Sequence, residues 1–142
     1  MELKALIKKH RETINYIIFG VATTIVNYLV YILFTRFFHT DETVANIIAW
    51  ACSVIFAFLT NKRWVFKSKT SNIKEYLIQL RDFVAARLFS GAIDIFLVWL
   101  SVDVLGYNEG VEDLIAKALS NVVVLTLNYL LSKFLVFRKK SE

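Results

Sequence analysis

The chain has 142 residues, 57% of them hydrophobic and 15% aromatic, with no proline, a formal net charge of +5 and a mean hydropathy of +0.55. Water-soluble domains are usually about 45–50% apolar and break those residues into periodic stripes; here they come in blocks, which excludes a helical bundle in water. The single cysteine, Cys52, excludes a disulfide framework, and the excess positive charge fits membrane topology and anionic phospholipid head groups rather than nucleic acid.

Residues 14–34 and 44–59 carry no charge, 83–102 carries only Arg87 and Asp94, and 114–131 carries only Lys117. Crossing the hydrocarbon takes roughly 20 mostly apolar residues, so the blocks predict spans at about 14–36, 43–62, 83–104 and 113–134. The first block is too long for the apolar core of a cleavable signal peptide, and no small-residue cleavage site follows it. The expected fold class is all-α, an integral membrane four-helix bundle forming one domain over 1–142.

Lys4, Lys8, Lys9 and Arg11 precede the first span. Lys62, Arg63, Lys67, Lys69, Lys74 and Arg81 lie between the second and third, and Lys133, Arg138, Lys139 and Lys140 follow the fourth. The other two loops share only Arg36, beside Asp41, Glu42, Asp103, Glu109, Glu112 and Asp113. Short Lys- and Arg-rich segments stay inside, which makes both termini cytoplasmic and requires an even number of spans. Within the central linker, Ile73, Tyr76, Leu77 and Leu80 fall at helical spacing, mostly away from Lys74, Glu75, Gln79 and Arg81. That pattern fits an amphipathic helix on the interface or a cytoplasmic extension of the third span.

The chain repeats itself. Asn61-Lys62-Arg63-Trp64-Val65-Phe66-Lys67 closes the second span and Ser132-Lys133-Phe134-Leu135-Val136-Phe137-Arg138 closes the fourth, with Lys, Val, Phe and a basic residue in register. The register extends back to Ala45 and Ala116, Asn46 and Lys117, and Ala49 and Ser120. Spans one and three align with Asn27 opposite Asp94 and Gly20 opposite Arg87. Two parallel-repeat helical hairpins follow, an arrangement that in transporters places binding sites at the repeat interface.

Residues 3, 4, 7 or 11 apart share a helix face. On that spacing the polar stripes are Gly20, Thr23, Thr24, Asn27 and Tyr31 in span one, and Asn46, Ser53, Ala57 and Asn61, with Trp50 among them, in span two. Arg87, Gly91, Asp94 and Ser101 line span three, with Ser90 at the edge; Lys117, Asn121, Asn128 and Ser132 line span four. Such faces also serve as packing surfaces, and that reading suits Asn27, Ser53, Gly91 and Ser120. Intramembrane charges are costly and mark functional paths. Arg87 lies about 6 Å in from the cytoplasmic end and Lys117 about 5 Å in from the outer end, at about 1.5 Å per residue, with Asp94 available to pair with either. Two cations at different depths suit an anionic substrate; an arginine fork or lysine point charge holds phosphate. The amides of Asn61, Asn121 and Asn128 suit sugar hydroxyls or phosphate oxygens. The chemistry points to a lipid phosphate.

Four spans, the Asn-x-x-Trp-Val-Phe box at 61–66, its echo at 133–137, Phe83-x-x-x-Arg87 opening span three and Asn128 together resemble the GtrA-like family over about 14–138. The resemblance implies translocation of a polyprenyl-phosphate-linked monosaccharide to the outer leaflet for cell-surface polysaccharide or teichoic-acid glycosylation, in a bacterial plasma membrane and alongside membrane glycosyltransferases. By resemblance, Ala57, Asn61, Val65, Phe66, Phe83, Arg87, Lys117 and Asn128 match the family's motif positions and are the substrate-binding candidates. Asn121 joins them from its place on the span-four stripe. Ser132 and Phe134 stand where the first box has Asn61 and Arg63, so the halves are not expected to bind equivalently. The competing readings are a non-transporting scaffold for a glycosyltransferase and a proton-coupled exporter, which would want a carboxylate in span one. An enzyme is not expected: His10 and His39 lie outside the spans, and no carboxylate pair, metal-ligand cluster or nucleotide loop is present. No catalytic residue, metal or cofactor is therefore assigned, and the small enclosed volume leaves a homodimer open.

With Cys52 replaced, single cysteines at positions 5, 72 and 140 are expected to react with an impermeant thiol reagent only from the cytoplasmic side, and those at 40 and 108 only from outside. Mixed labelling at 72 would overturn both the span count and the charge argument.

Overall fold

The computed structural model describes residues 2–106 and 110–138. Glu109, Lys139, Lys140 and labelling positions 108 and 140 lie outside the described residues, as does the side chain of Asp113. The described chain is helical: α1 (Glu2–Lys9), α2 (Arg11–Ile32), α3 (Glu42–Thr60), α4 (Ile73–Trp99) and α5 (Val111–Leu131). Four of these, with their end turns, are long and apolar enough to cross a membrane: Arg11–Phe37, Glu42–Val65, Ile73–Val104 and Leu114–Val136. All four predicted spans fall on them.

Local chemistry fixes where the helices start. Asp41 caps α3, its Oδ1 accepting from the Thr43 and Val44 N–H groups at 2.9 and 3.3 Å. Asn72 caps α4 by accepting from Glu75 N–H at 3.0 Å, while Glu75 Oε2 accepts from Ser71 N–H at 3.0 Å. This is the reciprocal bonding of a capping box, set one residue wide. It starts α4 at Ile73 rather than near 83, so of the two linker readings the continuous extension of span three holds. Ahead of α2, the basic arm is itself a helix, α1, exposing Leu6 and Ile7 and ending on Lys8 and Lys9.

All four long helices end alike. Phe38, Phe66, Leu105 and Phe137 each donate a backbone N–H to the carbonyl five residues earlier, at Leu33, Asn61, Leu100 and Ser132. These i→i+5 bonds form a wide π turn over Leu33–Phe37, Asn61–Val65, Leu100–Val104 and Ser132–Val136. Each of the first three is followed by a residue in the left-handed region: His39 at φ 51°, Lys67 at φ 49° and Gly106 at φ 73°. The turn satisfies carbonyls that a helix end leaves open, a strict requirement near lipid.

The chain divides into two compact units, Met1–Lys69 and Thr70–Glu142, each a helical hairpin. In the first, α2 packs along α3. The α3 contact line runs through Ala45, Ala49, Ser53, Ala57, Asn61 and Val65, every fourth residue, all buried. In the second, α4 packs along α5. There Phe83, Ala86 and Ser90 are buried on α4, and Ser120, Asn128, Ser132 and Val136 on α5 and its end turn. The two lines are the same positions 71 residues apart, so the repeat read in sequence is a repeat of structure. At the basic end a ring pair closes each hairpin: Tyr16 with Phe66 at 6.3 Å and Phe83 with Phe137 at 5.9 Å between centroids.

The predicted span-four stripe needs correction. Lys117 and Asn121 are exposed, flanking the contact line rather than lying on it. Packing follows the four-residue ridge, and four residues at about 100° each overshoot a full turn by about 40°, so the contact line winds around the helix. A straight stripe matches it at Asn128 and Ser132 and departs a turn or two away.

Phe83 is wholly buried, whereas Phe134 is 64% exposed. Phe83→Ala is expected to lower thermal stability in detergent clearly, though by less than the ~3–5 kcal/mol typical of water-soluble cores, because lipid contributes no hydrophobic transfer term. Phe134→Ala is expected to leave the melting curve unchanged.

Candidate functional site

In the Thr70–Glu142 hairpin, two polar clusters stand two helical turns apart. The first is at the basic end. The Arg87 Cζ lies 4.9 Å over the Phe83 ring, a cation–π arrangement, and the wholly buried Phe83 is held in turn against Phe137. Among the described residues Arg87 makes no ion pair. One turn further on, Ser90 Oγ donates to Asn128 Oδ1 at 2.7 Å in a buried bond across the hairpin. With its oxygen so engaged, Asn128 keeps its NH2 as a donor.

The second cluster lies toward the acidic loop end. Lys117 Nζ sits 3.3 Å from Asp94 Oδ2, and Ser120 Oγ donates to Asp94 Oδ1 at 2.6 Å. Lys117 is therefore a neutralised cation rather than a bare one. The pair is half-exposed. Asn121, on the exposed face of α5, joins neither cluster.

The Met1–Lys69 hairpin holds the other candidates. Ala57, Asn61 and Val65 lie on the α3 contact line, and Phe66 follows against Tyr16. Beside them Trp64 stacks on Phe19, with centroids 5.6 Å apart and planes 19° off parallel, and Arg63 Cζ lies 5.2 Å over Trp64. Asn61 is only 3% exposed, yet its Oδ1 has no hydrogen-bond partner. A buried unpaired acceptor costs about 1–3 kcal/mol.

The nine sequence candidates thus separate by role. Ala57, Val65, Phe66 and Phe83 are packing residues that shape the hairpins. Arg87, Lys117, Asn61 and Asn128 are polar groups at or beside the hairpin seams, and Asn121 lies apart from them on the exposed face of α5. Sequence reasoning put Ser90 at the edge of the span-three stripe and read Ser120 as a helix-packing residue; they prove to be the hydrogen-bond partners of Asn128 and Asp94 across the hairpin. It passed over Tyr16, although the 67-residue offset that pairs Gly20 with Arg87 also pairs Tyr16 with Phe83. Among the described residues, no three His, Cys, Asp or Glu side chains gather to hold a metal ion.

Known proteins were compared with this sequence. The membrane protein YwcD of Bacillus subtilis (strain 168) is 39% identical over 127 residues, covering 89% of this chain and 97% of its own. The cell wall teichoic acid glycosylation protein GtcA of Listeria monocytogenes is 39% identical over 125 residues, covering 88% of this chain and 83% of its own. The bactoprenol-linked glucose translocase of Shigella phage SfV is 22% identical over 125 residues, covering 88% and 93%. A family model described as GtrA/DPMS, transmembrane domain, matches residues 15–137. With four membrane-spanning helices, a repeated hairpin and that match along nearly its whole length, the chain is an integral membrane protein of the GtrA/DPMS transmembrane-domain family.

Proposed function

We propose that this protein translocates a polyprenyl-phosphate-linked monosaccharide from the cytoplasmic to the outer leaflet of a bacterial plasma membrane, for glycosylation of a cell-surface polysaccharide or teichoic acid. It acts by moving its substrate rather than by catalysis, and membrane glycosyltransferases supply and consume the lipid-linked sugar. The observation that carries this reading is the state of Arg87: a guanidinium within a membrane-spanning helix, held against Phe83 and free of any ion pair among the described residues. The acid on the same helix, Asp94, is taken by Lys117 and Ser120. An unpaired charge in a membrane is expensive and calls for an anionic partner, and a guanidinium fork matches phosphate oxygens. Asn128 stands one turn away through Ser90, and Asn61 offers a buried acceptor; these suit the polar head group. The names of the Listeria and phage relatives support the same substrate class.

In this reading the basic end faces the cytoplasm and receives the substrate. The phosphate meets Arg87 first and then reaches Lys117 deeper in the membrane, where it competes with Asp94 for the ammonium.

Arg87→Gln is expected to abolish most binding of polyprenyl-phosphate sugar to purified protein, with the melting temperature little changed, since the side chain is in no ion pair. Arg87→Lys is expected to recover only part of the binding, because a point charge replaces the fork. Parental binding in Arg87→Gln would remove the phosphate assignment.

Asn61→Leu and Asn128→Leu separate translocation from scaffolding. Each removes the amide's capacity to hydrogen-bond the head group, at about 0.5–1.5 kcal/mol for an ordinary bond and more to a charged acceptor, while keeping bulk and the lipid-facing surface. Surface sugar transfer is expected to fall and lipid-linked sugar to accumulate inside. Normal surface glycosylation at parental protein levels in both variants would favour a scaffold.

A further inference from the structure

The Met1–Lys69 hairpin opens at its loop end into a polar cavity of about 480 Å³, lined by Asn27, Tyr28 and Tyr31 of α2 and by Glu42, Thr43 and Asn46 of α3. That size lies in the ~300–1,000 Å³ range of small-ligand sites. None of its six lining residues is among the nine candidates above.

The repeat gives the cavity its meaning. By the offsets of 67 and 71 residues, Asn27 stands where the second hairpin has Asp94, and Asn46 where it has Lys117. There the two side chains form an ion pair at 3.3 Å. In the first hairpin two neutral amides stand in place of the pair and line the cavity. Asn27 Nδ2 makes a long, 3.5 Å bond to Ser53 Oγ, and Asn46 has no hydrogen bond among the described residues. The neighbouring Asp41 carboxylate is committed to capping α3.

The lining selects a ligand class. Its only ionisable group at neutral pH is the Glu42 carboxylate, which repels phosphate and accepts from hydroxyls. Two primary amides offer donors and acceptors in equal number. Two tyrosine rings, Tyr28 being 64% exposed, offer apolar faces with polar tips. Amides, a carboxylate and aromatic faces without a cation suit a neutral polyhydroxyl ring.

We infer that this cavity is a second binding site, on the outer side, for the sugar ring of the lipid-linked substrate, separate from the phosphate-holding groups of α4 and α5. The inference rests on the translocation reading for its substrate and sidedness. The polar crevice holds the hexose while the phosphate remains outside it.

The test uses full-length protein with Cys52→Ala and Thr43→Cys, reconstituted in liposomes and treated externally with an impermeant thiol reagent. Lipid-linked hexose in the outer leaflet is expected to slow modification of position 43 severalfold, and polyprenyl phosphate without sugar is expected not to. Adding Asn46→Leu is expected to abolish the protection. Equal protection by both lipids, or by neither, overturns the inference, as does protection that survives Asn46→Leu. Leaflet exchange of the same lipid by the parent protein is followed in parallel. Exchange without sugar-dependent protection removes this site and leaves translocation standing; protection without exchange keeps the site and removes translocation.

Discussion

Lipid gives two apolar helices no hydrophobic reason to associate, because hydrocarbon solvates a leucine as well as another helix does. Association must come from close backbone approach and from polar groups that find each other. The ridge Ala45–Ala49–Ser53–Ala57–Asn61–Val65 meets that demand: alanines and a serine on every fourth position bring α3 against α2, with Asn27 and Ser53 bonded across the seam. The second hairpin meets it with larger and more polar residues, and accordingly depends on Ser90 with Asn128 and on Ser120 with Asp94. Because the small-residue ridge dictates how the helices lie, it also decides which polar side chains reach the seam and which are left beside it.

One framework therefore carries two kinds of commitment. At matched depth, one hairpin spends its polar residues on an ion pair and the other leaves amides open. Near the basic end, one holds a bonded Asn128 and the other an unbonded Asn61. A symmetric pair of hairpins would treat the two ends of a phosphosugar alike. In the translocation reading proposed above, divergence between the copies would let charge be handled in one and hydroxyls in the other.

Much of this was legible in the sequence, since bilayer thickness and positional charge act on composition directly. The four spans and the repeat followed from uncharged blocks and from the Val-Phe echoes at 65–66 and 136–137. The face of α5 did not, because a fixed-angle stripe assumes a straight seam, whereas a four-residue ridge winds; Lys117 and Asn121 were placed inward for that reason. The start of α4 was ambiguous because an amphipathic pattern looks the same on an interface and on the extension of a span, and the Asn72–Glu75 cap resolved it. The unpaired state of Asn61 Oδ1 and the pairing of Lys117 with Asp94 belong to tertiary packing, which spacing along one helix cannot reveal.

The wide turns at the helix ends also explain the dipeptide that marks both halves. In an α-helix, neighbouring residues point about 100° apart, so two adjacent side chains are rarely buried equally by one partner. Widening the turn by one residue brings successive side chains closer in azimuth, and Val65 with Phe66, like Val136 with Phe137, sink together against the facing helix. The Val-Phe box is thus a phase marker: it records where each helix changes pitch before leaving the membrane. A substitution there would act at a distance, by resetting the rotation of the chain that follows.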